Sequence, residues 1–135
     1  MTRSHRLWPL ALLAASSVFS ACTKAPGEGG KASITGKVWA VKYSRTTGQP
    51  TGVEYWAQDA RVFIVYGDNE FHDDDTRTGP DGLFKFSWLR KGRYTVYTYS
   101  ECNTCPGGTF AVYRTVEITD KKGNVDAGTL VIEDW

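Results

Sequence analysis

The feature that most restricts the fold is a rhythm of short strands. Runs rich in Val, Ile, Thr, Tyr and Phe recur from Ser33 onward, and clusters of Gly, Pro, Asp and Asn interrupt them. The runs predict strands over Ser33–Tyr43, Ala60–Gly67, Asp75–Thr78, Leu83–Trp88, Arg93–Ser100, Thr109–Ile118 and Val125–Glu133. No window repeats apolar residues at helical spacing for long enough to compete. The stretches "GPDG" and "KKGN" carry turn chemistry. About seven short strands with frequent turns predict an all-β, antiparallel sandwich.

Two strands are informative in detail. "RVFIVY" is apolar on both faces, which suits a central strand covered on two sides. In "YTVYTYS", Tyr94 and Val96 share one face while Tyr97 and Tyr99 take the other, because successive side chains alternate. Asp81-Gly82 supplies a tight turn before Phe84, Phe86 and Leu89, and glycine accepts positive φ at little cost. The whole stretch "TRTGPDGLFKFSWLRKGRYTV" resembles the carboxypeptidase regulatory-like domains, a prealbumin-like β-sandwich family with an immunoglobulin-like layout. The matching places are Asp81-Gly82, Phe84, Phe86, Leu89, Gly92, Tyr94 and Val96, with "ITGKV" and "DAGTLVI" similar to the family's ends. The resemblance spans most of Ser33 to Glu133 and implies a fold, a frequent accessory role beside transporters, adhesins and peptidases, and no chemistry of its own. An internal Lys–Asn bond of the kind found in pilin-type sandwiches needs an acid after the Gly-x-Tyr pattern, and Tyr94 to Ser100 contains none.

The N-terminus reads as an export signal. Arg3, His5 and Arg6 precede an apolar stretch from Leu7 to Phe19, then small residues Ser20 and Ala21 lead to Cys22. The apolar run is shorter than the roughly 20 residues that span a bilayer. A cysteine directly after the small pair makes the segment resemble a bacterial lipoprotein signal, with Phe19 where that family usually has leucine. The resemblance implies cleavage before Cys22 and acylation of that cysteine, palmitate included. Several acyl chains at about 0.8 kcal/mol per buried CH₂ would hold the protein on the membrane. Thr23 in place of an aspartate implies transfer to the outer membrane. The expected organisation is a signal peptide over 1–21, a lipidated cysteine and flexible tether over 22–32, and one sandwich domain over 33–135. The Gly- and Pro-rich tether would reach about 17–19 Å.

Without the signal the chain is near neutral: 14 of the 16 basic residues remain against 15 acidic ones. Nucleic acid is therefore not an expected partner, since that binding rests on Lys and Arg clusters. His72 is the one histidine left for catalysis or metal binding. Cys102 and Cys105 flank two residues in "SECNTCPGG". A dithiol redox centre wants its first cysteine at a helix N-terminus, and here Pro106-Gly107-Gly108 lead back to a strand. Zinc wants four ligands. With Cys22 lipidated, two cysteines in an oxidising compartment favour a disulfide between Cys102 and Cys105.

Two further clusters are candidate sites. Asp68, Glu70, Asp73, Asp74 and Asp75 crowd one loop, and Asp68, Asp73 and Asp75 are the candidate calcium ligands, although the spacing fails the EF-hand pattern. The alternative is a solvated acidic turn. Trp39, Tyr97 and Tyr99 fall opposite the presumed core face, where rings stack on sugars or on a partner chain. The alternative there is cross-strand packing or cover from the Tyr43–Gln58 loop. Together these features lead us to expect a non-catalytic, lipid-anchored envelope module with an accessory or protein-interaction role and no cofactor. A glycan- or calcium-binding module is the alternative. A deep pocket converging on two acids would favour an enzyme, and a flat aromatic patch would favour ligand binding.

Overall fold

The computed structural model describes residues 24–135, so Cys22 and the signal peptide expected over 1–21 lie outside the described residues. Eight strands follow in order: β1 (Glu28–Tyr43), β2 (Pro50–Trp56), β3 (Arg61–Tyr66), β4 (Asp74–Arg77), β5 (Leu83–Leu89), β6 (Gly92–Glu101), β7 (Thr109–Ile118) and β8 (Asn124–Asp134). They form two four-stranded sheets. In the first, β8 runs parallel to β1 along one side, while β5 and then β2 pair antiparallel with successive parts of its other side. The second has the order β4-β3-β6-β7, antiparallel throughout.

The sandwich is the expected one with three corrections. The segment assigned to a loop over 43–58 contains β2, an edge strand whose residues are all exposed, so no burial pattern marks it in the sequence. The β1–β8 pair is parallel, because β8 returns from the β7 side of the molecule to lie alongside the opening strand. The opening strand begins at Glu28 rather than Ser33, within the stretch assigned to a flexible tether.

The core forms where alternating faces meet. Ala32, Ile34, Val38, Ala40, Phe84, Phe86 and Leu130 of the first sheet pack on Val62, Ile64, Tyr94, Val96 and Ile118 of the second. Each large side chain fully buried there contributes about 1.5–3 kcal/mol. Strict alternation in β5 would send Trp88 inward after Phe84 and Phe86. Instead Trp88 has φ +60°, the strand slips, and Leu89 takes the inward place at 1 % exposure. At the turn before β5, Gly82 sits at φ +73° and donates its N–H to Gly79 O at 2.9 Å.

The chain enters at one end of the sandwich, called here the entry pole. It carries the β3–β4 loop, the β5–β6 turn and the β7–β8 turn, because Tyr66 faces Tyr94 and Gly92 faces Ile118. Arg90 fixes the incoming segment: its Nε donates to Ala25 O and its backbone N–H to Gly27 O, both at 2.8 Å. Buried Tyr94 accepts from Gly27 N–H at 2.8 Å and donates to Arg90 O at 2.7 Å. Gly92 has φ +144°, and a Cβ there would fall 2.4 Å from Pro26. The opposite, distal pole holds Cys102 and Cys105, whose sulfurs are bonded, and Trp135, stacked on Tyr43 at 4.8 Å. A single 3-10 turn, Pro106–Gly108, follows the disulfide and leads directly into β7.

Candidate functional site: the outer face of the second sheet

Strand register lines up one row across the outer face of the second sheet. Asp75 of β4 faces Phe63 of β3, Phe63 faces Tyr97 of β6, and Tyr97 faces Tyr113 of β7. At a spacing of 4.7–4.9 Å between strands, the row is about 14 Å long. Phe63 is only 8 % exposed, yet it stands outside the inter-sheet core. Its cover comes from its own face: Tyr97 stacks on it at 5.0 Å and 17°, and His72 lies at 4.8 Å. Tyr99 meets it edge-on at 5.8 Å, and the Arg61 guanidinium sits 5.1 Å from the ring.

The upper surface of that cluster is open. Tyr99 is 52 % exposed and Tyr113 63 %. Tyr99 also stands edge-on to Tyr97 at 5.7 Å, so neighbouring rings brace one another. Burial, with a smaller effect of Tyr99, raises the Tyr97 phenol above its ordinary pKa. Polar groups frame the rings. Arg61 Nε donates to Asp75 at 2.8 Å, which holds the Asp75 carboxyl below its usual range. The hydroxyls of Thr95 and Thr115 are 3.3 Å apart, and His72 Nδ1 is 3.5 Å from the Tyr97 hydroxyl. The arrangement is a flat, ring-lined surface with fixed donors and acceptors at its edges.

Trp39 does not belong to this surface. It lies on the outer face of the first sheet, where its cross-strand partner Trp56 meets it edge-on at 4.6 Å. Lys37 Nζ lies 4.6 Å over the Trp56 ring. The structure thus brings Tyr97 and Tyr99 together and puts Trp39 on the far side of the sandwich. Phe63 and Tyr113 complete the cluster and were not singled out from the sequence. The double-sided apolar pattern of "RVFIVY" is the signal for Phe63, whereas Tyr113 is found only from the register.

The acidic loop does not converge. Asp68 pairs with Arg93, and Asp75 with Arg61. Asp73 accepts from Tyr66 N–H at 2.7 Å and from Asn69 Nδ2 at 2.9 Å. Asp74 accepts from the Asp75 N–H at 2.8 Å. Among the described residues, no group of three or more His, Cys, Asp or Glu side chains is placed to hold a metal ion. At the distal pole an open cleft of about 290 Å³ includes Tyr55, Tyr99, Glu101, Glu133 and Asp134 in its lining. Its acids are engaged within the chain: Glu101 and Glu133 accept from Trp135, and Asp134 accepts from Tyr55 at 2.7 Å. That bond is the main reason the Tyr55 phenol is pushed up to about 12.

No family model matches the chain, and no curated protein does. Among solved structures the sandwich is similar to the crystal structure of a candidate carbohydrate binding protein from Pseudomonas aeruginosa. The match has 12 % identity and a TM-score of 0.49, and covers 82 % of this chain and 92 % of that one. It is a distant match.

Proposed function

We propose that the chain is a non-catalytic, lipid-anchored binding module of the bacterial cell envelope, and that the outer face of its second sheet takes saccharide chains. The observation that carries this is the row Asp75–Phe63–Tyr97–Tyr113 with Tyr99 beside it, rings upward and polar groups at the rim. A sugar ring has apolar C–H faces and a polar equator, and such a row meets both. A protein partner would use the same rings as hot spots. The dense polar frame of Arg61, Asp75, His72, Thr95 and Thr115 favours the glycan. In this proposal Cys22 carries the acyl anchor and places the module at the outer membrane.

Two measurements test it. Cys22→Ala should abolish fatty-acid labelling and release the protein from membranes, and a variant that keeps both would contradict the anchor. Soluble peptidoglycan fragments and a panel of envelope polysaccharides should bind the mature chain, and binding should weaken about thirtyfold or more in Tyr97→Ala with Tyr113→Ala. Binding unchanged by the double substitution would contradict the glycan surface. So would a total lack of saccharide binding alongside a protein crosslinked through those same tyrosines, which would restore the protein-interaction role.

A further inference from the structure

Two large aromatic side chains are exposed at the entry pole with no packing role in the core. Trp88 is 69 % exposed and Phe71, in the β3–β4 loop, is 77 % exposed. Trp88 holds φ +60°, a conformation that bulky residues rarely adopt, and the strand slip there turns its indole outward. The pole also carries exposed lysines: Lys24 on the incoming segment, Lys91 in the β5–β6 turn, and Lys121 and Lys122 in the β7–β8 turn. Of the acids nearby, Asp68 is paired with Arg93, and the Asp120 carboxylate accepts the Lys122 N–H within its own turn. Glu28, Glu70, Asp73 and Asp74 share the pole with the lysines.

The acyl anchor proposed above at Cys22 would bring a bilayer to this surface. Arg90 and Tyr94 fix Ala25 and Gly27, so the sandwich begins almost immediately after Cys22. Three residues at full extension span about 11 Å. A bilayer holding acyl chains at Cys22 therefore lies within that distance of the entry pole. Tryptophan is enriched at the membrane interface, and surface lysines are drawn to anionic headgroups.

We propose that the entry pole is a lipid-docking surface, with Trp88 and Phe71 inserted at the bilayer interface and Lys24, Lys91, Lys121 and Lys122 facing anionic headgroups. The module then stands upright on the membrane, and the outer face of the second sheet is held to the side, clear of the lipid. The docking rests on the Cys22 anchor proposed above only for its high local lipid concentration.

The test uses the mature, lipidated chain in vesicles of phosphatidylethanolamine and phosphatidylglycerol, with brominated acyl chains as quenchers. We expect quenching of tryptophan emission, most of it lost in Trp88→Phe, reduced in Phe71→Ala and unchanged in Trp39→Phe. Quenching equal in wild type and Trp88→Phe would overturn the proposal. Trp88→Gly relieves the backbone strain, so it should hold or raise the melting temperature while losing the quenching. A loss of fold there would show instead that Trp88 is structural. If fatty-acid labelling shows no lipid on Cys22, the anchor fails separately. Trp88-dependent quenching of vesicle-bound, unlipidated protein would then still support docking, and its absence would overturn it.

Discussion

The two outer faces of the sandwich use aromatic residues in opposite ways. On the first sheet, Trp39 and Trp56 are a cross-strand pair whose edges meet, with Lys37 laid over the Trp56 ring. The pair covers the junction of β1 with the exposed edge strand β2, and the rings spend much of their surface on each other and on the lysine. On the second sheet, Phe63 is the ring that is covered, and it serves as a floor on which Tyr97 stacks and against which Tyr99 stands. The covered ring is apolar bulk outside the core that supports Tyr97 and Tyr99, and Tyr113 stands open on the next strand. The first face pairs its aromatics edge to edge, with Trp56 39 % exposed, and the second leaves Tyr99 and Tyr113 more open, at 52 % and 63 %.

The largest expected difference between the faces is in binding. Tyr97→Ala with Tyr113→Ala should weaken saccharide binding by about 2 kcal/mol or more, roughly thirtyfold in Kd, as loss of a central aromatic anchor does. Trp39→Ala should leave Kd within about twofold. Isothermal titration of the three chains against one bound fragment measures both, and equal losses on the two faces would erase the distinction.

A lesion in the shared interior separates stability from binding. Tyr94→Phe keeps the ring but leaves Gly27 N–H and Arg90 O without their partner, at a cost of about 1–3 kcal/mol. Denaturant unfolding should show that loss, and Kd at the second sheet should not move. The corresponding test of the outer faces is smaller. Trp39→Ala should destabilise by about 1 kcal/mol through the lost pair with Trp56. That lowers Tm by about 4–8 °C for a domain of this size. Tyr113→Ala should change stability by at most about 0.5 kcal/mol, because its ring is surface. A reversed order would mean that the second face is the packing face.

Much of the fold was legible in the sequence, and the reasons are local. Alternation placed Tyr94 and Val96 inward and Tyr97 and Tyr99 outward. The double-sided run "RVFIVY" marked β3 as central, and the structure flanks it with β4 and β6. Grouping Trp39 with the tyrosines failed because alternation says only that a residue faces outward, whereas the sheet it belongs to is decided by long-range pairing. β2 escaped notice because an exposed edge strand has no buried face to impose a period. The segment after Lys24 looked like tether from its Gly and Pro content, yet distant residues, Arg90 and Tyr94, hold it in place.

Alkaline pH gives the smallest contrast. Burial first, and then Glu28, Asp74 and Asp73, push the Tyr66 phenol up from 10.0 to about 12. The folded state therefore keeps this proton where the unfolded chain has lost it. Stability from Tyr66 should be complete below pH 10.0 and fall as pH rises toward about 12. Melting temperatures across that window should decline less in Tyr66→Phe than in the wild type. An equal decline would remove Tyr66 from the account.

The claim that the second sheet carries the binding face is tested most directly by amide chemical-shift mapping of the mature chain titrated with soluble peptidoglycan fragments. The shifts should concentrate in β3, β6 and β7 around Phe63, Tyr97, Tyr99 and Tyr113. Shifts centred instead on Trp39, Trp56 and Val131 of the first sheet, or no shifts with any saccharide of the panel, would contradict it.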